Sequence, residues 1–285
     1  KGYKITAYDL FLYGKEVFSK SQNINLIEGD IRDIDLFKRS IKGHDAVIHL
    51  ACISNDPSFE LNPNLGKSIN YDAFEPMVKE SMNNNVQRFI YASSSSVYGI
   101  KNEQDVSEEM SLEPLTDYSK FKVDCEKILA KYKSENFETC IIRPATVCGF
   151  SNRLRLDVIV NILTNLAFHK REISVFGGSQ LRPNIHIKDM VRAYEVLLEA
   201  SSEKINGQIF NAGWENKSVN DIALTVKKNI GEDVKIITSH SNDNRSYHIS
   251  SKKIKNILDF ETKFTISDAI NDLKVAFEKK LFQDT

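Results

Sequence analysis

This chain is poor in every feature that marks a specialised class of protein. Its 285 residues hold 4 cysteines, Cys52, Cys125, Cys140 and Cys148, with no C-x-x-C spacing among them. That argues against a disulfide framework and for buried free thiols, which fit a reducing cytoplasm. Long apolar runs are missing as well. The best, over 158–168, is interrupted by Asn161, Thr164 and Asn165, so no transmembrane helix is expected. The opening KGYKITAYDL lacks the apolar stretch and small-residue cleavage site of a signal peptide. Neither sign of charge dominates: 38 Lys and Arg face 39 Asp and Glu, a formal net charge of -1. Without a basic block there is no electrostatic footprint for nucleic acid or an anionic membrane. Repeats, linkers and low-complexity tracts are absent too, apart from the serines at 93–96.

What remains is a globular composition, 41% hydrophobic and 27% charged, long enough for one large domain or two small ones. Short β-branched or aromatic runs recur: KITAYD (4–9), INLIEGD (24–30), DAVIHLA (45–51), RFIYASS (88–94) and ETCIIRPA (138–145). Each is bounded by Gly, Asn, Asp or Ser and reads as a buried strand. Helical patterns over 34–41, 64–82 and 117–133 separate them. This alternation predicts the α/β class, a doubly wound parallel sheet covered on both faces. After Gly149 the pattern changes. Helices are expected over 156–170, 188–200, 218–230, 251–258 and 266–281, with a turn at 177–180 and strands at 208–213 and 234–238. The expected division is a dinucleotide-binding domain over 1–149, to which 184–213 returns. A smaller interleaved α/β domain over 150–183 and 214–285 would bind substrate.

Open parallel sheets bind ligands beyond the carboxyl ends of their strands. Asp9 ends the first run; it suits either a ribose diol, with its charge favouring NAD over NADP, or a plain turn. Asp30 is placed to accept from an adenine amino group with Ile31 against the ring, a role compatible with Asp33 capping the next helix. His49 sits inside a strand and reads as a core histidine. Tyr118 and Lys122 lie four apart on a helix, hence on one face. An ammonium beside a phenol favours the phenolate, which makes a Tyr able to move a hydroxyl proton while a nicotinamide takes a hydride. The spacing alone occurs by chance. Its context is the serine run at the end of RFIYASS, 24 residues before Tyr118 at Ser94, where a hydroxyl can share the same substrate oxygen.

A dinucleotide fold carries its glycine fingerprint about 20 residues before the acidic residue that Asp9 represents. No G-x-G-x-x-G exists in the chain, and residue 1 is Lys. About 30 residues, including the phosphate loop, are therefore expected to precede this sequence in an enzyme of roughly 310. The chain as given is expected to bind NAD weakly, because the backbone donors for the pyrophosphate lie in that loop.

Four segments together, YASSSSVYG (91–99), YSKFK (118–122), IIRPATVCG (141–149) and LRPNIHIKDM (181–190), resemble the extended short-chain dehydrogenase/reductase family. Within it they are similar to NAD-dependent nucleotide-sugar epimerases and dehydratases. The resemblance implies a Rossmann-type sheet, here without its first strand. It implies Ser94, Tyr118 and Lys122 as catalytic residues. On the cofactor side it implies Asp9, Asp30, Ile31, Leu50, Ala51, Asn70, Ser93 and Pro144, besides Tyr118 and Lys122. On the substrate side it implies Ser95, Ser96, Thr146, Phe176, Arg182 and Arg245. The two arginines suit a diphosphate, since each guanidinium presents a planar fork of donors. Phe176 stacks on a base or belongs to the core, and Arg182 and Arg245 each have an ordinary surface reading as well.

Departures select the reaction. Dehydratases of this type carry an acidic pair directly after the catalytic Ser/Thr, and here those positions are Ser95 and Ser96. Thr146 and Cys148 replace a common Asn and Tyr. The resemblance therefore implies an NAD-dependent epimerase of a nucleotide-diphosphate sugar, acting at C4 through a 4-keto sugar. The alternatives are a reductase of a 4-keto-6-deoxy nucleotide sugar and a non-catalytic dinucleotide-sensing protein. It also implies a homodimer pairing the helices near 64–82 and 117–133, with neither nucleic acid, membrane nor metal as partner.

Overall fold

Five runs of alternating or continuous apolar residues in the first half form strands, and the helices between them cover those strands. A computed structural model describes residues 2–18, 21–54, 56–240, 246 and 248–281. The chain packs as two units. Unit 1 comprises Lys1–Val97, Pro114–Ile142 and Leu197–Ile209; unit 2 comprises Tyr98–Glu113, Arg143–Val196 and Phe210–Thr285.

The first half runs β1 (Ile5–Asp9), β2 (Ile24–Glu28), α1 (Ile34–Ser40), β3 (Ala46–His49), α2 (Asp56–Leu61), α3 (Pro63–Lys67), a π turn (Ser68–Asp72), α4 (Phe74–Asn83), β4 (Arg88–Ala92), α5 (Asp117–Ala130) and β5 (Glu138–Pro144). It continues with β6 (Thr146–Cys148), α6 (Ile159–Lys170), β7 (Glu172–Phe176), β8 (Leu181–His186) and α7 (Ile187–Glu199). The remainder is α8 (Ser202–Ile205), β9 (Gln208–Ala212), β10 (Glu215–Ser218), α9 (Val219–Ile230), β11 (Lys235–Ser239), α10 (Lys252–Leu258) and α11 (Ile266–Glu278).

In unit 1, β1 pairs in parallel with β2, and β3, β4 and β5 pair in parallel in that order. Among the described strands β1 and β3 do not hydrogen-bond to each other, so the parallel strands fall into two sets rather than one continuous sheet. Buried Phe74, Val78, Phe89, Tyr91, Leu129 and Phe137 pack together between strands and helices. A second cluster joins Ile31, Phe37 and Ile41 to Met77. Helix α5 starts sharply because Thr116 and Ser119 cap it reciprocally, each side chain accepting from the other's backbone N–H.

The helix expected over 64–82 is broken. Residues 68–72 widen into a π turn, a distortion common where a side chain is drawn into another contact. Here the contact is Asn70, whose amide accepts from Ile53 N at 2.8 Å and donates to Ile53 O at 2.9 Å.

Unit 2 holds a three-stranded sheet in the order β10-β8-β6, antiparallel on one side of β8 and parallel on the other. Arg182 and Pro183, just after the turn at 177–180, lie inside β8. A separate pair joins β7 to β11 in parallel. Its core gathers Val160, Leu163, Ile173, Ile222, Val226 and Ile270 from α6, β7, α9 and α11.

Candidate active site

The end of β4 is a buried corner built on α5. Tyr118, Lys122 and Glu126 succeed one another at four-residue intervals and so share one face of that helix. Lys122 is only 5% exposed, and its Nζ donates to Ala92 O at 2.7 Å. The ammonium lies 4.9 Å from the ring centre of Tyr91 and 5.7 Å from that of Tyr118. Burial works against its charge, but Cys52, Tyr118 and Cys125 outweigh burial and hold its pKa above the ordinary lysine value. A fixed positive charge therefore faces Tyr118.

One residue past Ala92 the chain is tied twice. Ser93 N donates to Ile142 O at 2.8 Å, and its hydroxyl donates to Glu126 Oε1 at 2.5 Å. Ser94 is half-buried, and its Oγ accepts from Ser96 N at 3.1 Å and Ser96 Oγ at 2.9 Å. Ser95 is buried at 3% exposure, so of the two serines expected on the substrate side only Ser96 reaches the surface. Glu126 went unnoticed in the sequence, although its four-residue step from Lys122 was a readable signal. His49 stacks on Tyr91 at 5.8 Å; burial, with Lys122 adding to it, pushes its pKa down to about 3. It is a neutral core histidine.

The residues expected around adenosine have differing surroundings. Asp9 is exposed at the end of β1, its Oδ1 accepting from Phe11 N at 2.7 Å. Asp30 is already engaged: Arg32 donates to its carboxylate from Nε, Nη2 and the backbone, and this pairing holds the carboxyl below its usual range. Ile31 is buried in the cluster around Phe37. Leu50 is exposed and Ala51 half-buried just after β3. Asn70 is buried with its amide on Ile53, and its carbonyl accepts from Cys125 Sγ at 3.2 Å. Pro144 ends β5, half-buried.

In unit 2, Thr146 on β6 stands opposite Asn184 on β8. Arg182, two residues before Asn184, is half-buried and donates from Nη1 to Leu181 O at 3.0 Å. Phe176 is exposed at the end of β7, not in the core. Arg245 lies outside the described residues. Among the described residues no three His, Cys, Asp or Glu side chains group as a metal site, and no helix is long and apolar enough to cross a membrane.

Residues 1–213 match the NAD dependent epimerase/dehydratase family. An uncharacterized UDP-glucose epimerase of Bacillus subtilis is 27% identical over 270 residues, 91% of this chain and 80% of that protein. A UDP-glucose 4-epimerase of Lactobacillus helveticus is 24% identical over 226 residues, 73% of this chain and 68% of that protein. Among solved structures, the UDP-glucose 4-epimerase of Thermotoga maritima with UDP-glucose superposes with a TM-score of 0.88 at 23% identity, covering 98% of this chain and 92% of that one. The UDP-glucuronic acid 4-epimerase of Bacillus cereus, in complex with UDP-glucuronic acid and NAD, gives 0.87 at 23% identity with the same coverage. Likeness at these identities establishes the shared Rossmann-type fold.

Proposed function

This chain belongs to the NAD dependent epimerase/dehydratase family, and within that family we propose that it inverts C4 of a nucleotide-diphosphate sugar. The observation that carries this reading is the β4–α5 corner: a buried lysine whose ammonium lies against the ring of Tyr118 and on the last carbonyl of β4, with no carboxylate at positions 95 and 96.

The corner suits NAD in its donor set. An ammonium has three N–H donors, of which Ala92 O takes one, so Lys122 can also reach a ribose hydroxyl. Asp9, exposed at a strand end, would accept from the other ribose. When bound, NAD would supply a reversible acceptor for the hydride on C4 of the sugar. Tyr118 takes the proton of the C4 hydroxyl and gives it back in the second half of the cycle. Ser94 donates a hydrogen bond to the same oxygen, and Lys122 stabilises the phenolate by its charge. Arg182 holds the diphosphate.

Removal of water from C5 and C6 needs a proton acceptor and a proton donor close to Ser94. Ser95 is buried and Ser96 donates to Ser94, and neither titrates near neutrality. This supports an epimerase over a 4,6-dehydratase. Four cysteines with no disulfide among the described residues fit a reducing compartment such as the cytoplasm, and a homodimer through α4 and α5 belongs to the same reading.

The test incubates the protein with NAD and, separately, UDP-, dTDP-, GDP- and CDP-hexoses, and follows C4 by NMR. Inversion without net NADH formation is the expected result. No inversion there, together with NADH consumption matched to product in a parallel reaction supplied with NADH and a 4-keto-6-deoxy nucleotide sugar, would replace this reading with a reductase.

A further inference from the structure

Ser94 and Ser96 are joined by two hydrogen bonds that point the same way. Ser94 Oγ accepts from Ser96 N at 3.1 Å and from Ser96 Oγ at 2.9 Å. A serine hydroxyl has one proton and two lone pairs. Both lone pairs of Ser94 are therefore filled by one neighbour, and what remains to it is its proton. A hydroxyl in that state donates and can no longer accept.

The backbone holds this arrangement in place. Residues 95–98 form one 3₁₀ turn, and Val97 N donates to Ser94 O at 3.3 Å where the turn begins. Ser95 and Val97, on either side of Ser96, are both buried, while Ser96 is half-buried. The turn is anchored through its neighbours, and the Ser96 hydroxyl is spent on Ser94.

In a proton transfer the direction of a hydrogen bond matters as much as its length. A serine with an open lone pair can accept the hydroxyl proton of a sugar and so compete with Tyr118 for it. A serine with none donates to the sugar oxygen instead. That leaves the sugar proton to Tyr118 and stabilises the charge that builds on the oxygen as the proton departs. Accepting two bonds also polarises the Ser94 O–H and strengthens its donation.

We propose that Ser96 is a positioning residue for the reaction at C4, its hydroxyl filling the last lone pair of Ser94 and so fixing Ser94 as a donor to the sugar oxygen. No proton leaves either serine; the one that moves passes between the C4 hydroxyl and Tyr118. The inference rests on the C4 reading for its substrate and on the Ser94–Ser96 geometry for its polarity.

Two measurements test it. Neutron diffraction from crystals of the full chain grown in D2O locates the deuterons. The deuteron on Ser96 Oγ is expected to point at Ser94 Oγ, and that on Ser94 Oγ to point away from Ser96. A Ser94 deuteron directed at Ser96 Oγ overturns the proposal, whatever the protein catalyses. Steady-state kinetics of C4 inversion then compares wild type with Ser96→Ala and Ser96→Thr, with circular dichroism checking the fold. Ser96→Ala is expected to lower kcat about tenfold with KM changed less than about twofold, the loss of one hydrogen bond felt only as the oxygen gains charge. Ser96→Thr keeps the hydroxyl and should stay within about threefold of wild type. A folded Ser96→Ala with wild-type kcat overturns the proposal, and so do equal losses in the Ala and Thr variants. The expected deuteron positions in a protein that inverts no sugar support the serine polarity and overturn the C4 reading.

Discussion

The β4–α5 corner of unit 1 and the β8 face of unit 2 treat buried polar groups in opposite ways. In the corner, Ser93 has Glu126, Lys122 has Ala92 O, and Asn70 has both sides of the Ile53 peptide. On β8, the buried Oδ1 of Asn184 and Nε2 of His186 have no hydrogen-bond partner among the described residues. His186 uses its other ring nitrogen to accept from Lys188 N, and Asp272 stands 3.5 Å from the unpaired one. An unsatisfied buried group costs about 1–3 kcal/mol, whereas a saturated network holds one geometry. The corner is fixed and the β8 face is permissive. Proton transfer needs fixed distances, while recognition of a phosphate tolerates adjustment, so the contrast follows the division of labour proposed above.

That contrast can be broken by substitution, most severely at Tyr118. Tyr118→Phe should lower turnover about a thousandfold or more while leaving the melting temperature unchanged, since only the hydroxyl is removed. Substantial residual inversion in a steady-state assay would show that the corner is not where the proton moves. Next in size is Glu126→Ala, which strands the buried Ser93 hydroxyl and opens a gap. It should cost about 2–3 kcal/mol in denaturant unfolding, with Glu126→Gln, which can still accept from Ser93, costing less.

A smaller effect comes from pH. His49 has a folded pKa of about 3, against 6.5 for a free histidine, because burial and then Lys122 oppose its charge. As pH falls below 6.5 the unfolded chain takes up the proton first, so stability present above pH 6.5 is lost progressively down to about 3. Between pH 7.5 and 5.5 this single site should remove about 1.4 kcal/mol. His49→Gln should flatten the pH dependence by that amount, and an unchanged slope would mean another group sets it. The smallest change is expected on the permissive face. Asn184→Leu removes an acceptor that lacks a partner among the described residues, but also the Nδ2 donor to Arg182 O at 2.7 Å, so the net cost should be about 1 kcal/mol, which unfolding curves at neutral pH would measure.

The corner was legible in the sequence because its parts are local. After Arg88 the strand reads FIYA, apolar and buried to its end, as a strand covered on both faces must be, and the Tyr-Lys step fixes a helix face without help from the rest of the fold. The β10-β8-β6 sheet was not legible. Its strands are short and mix Arg, Pro, Asn and His with single apolar residues, so no period of two stands out. Asp30 shows a different limit. Its strand-end position was readable, but its capture by Arg32, two residues on, depends on a rotamer that spacing does not reveal. The π turn also escaped pattern reading, because the residue that distorts the helix does so through a contact 17 positions away.

Asn70 carries a consequence for heredity as well as for packing. Its amide is used as both donor and acceptor against one peptide, and it is only 6% exposed. A carboxylate offers no donor, and a hydroxyl reaches less far. Glutamine, the one other side chain with the same head, arrives a methylene too long. An asparagine codon reaches only Asp, His, Ile, Lys, Ser, Thr and Tyr by a single nucleotide change, and none of these reproduces the pair of bonds. Glutamine needs more than one change. The loop after β3 and the bend before α4 are thus held by a residue with no adjacent substitute in the genetic code, and every single-nucleotide change there that alters the amino acid gives up the pair of bonds.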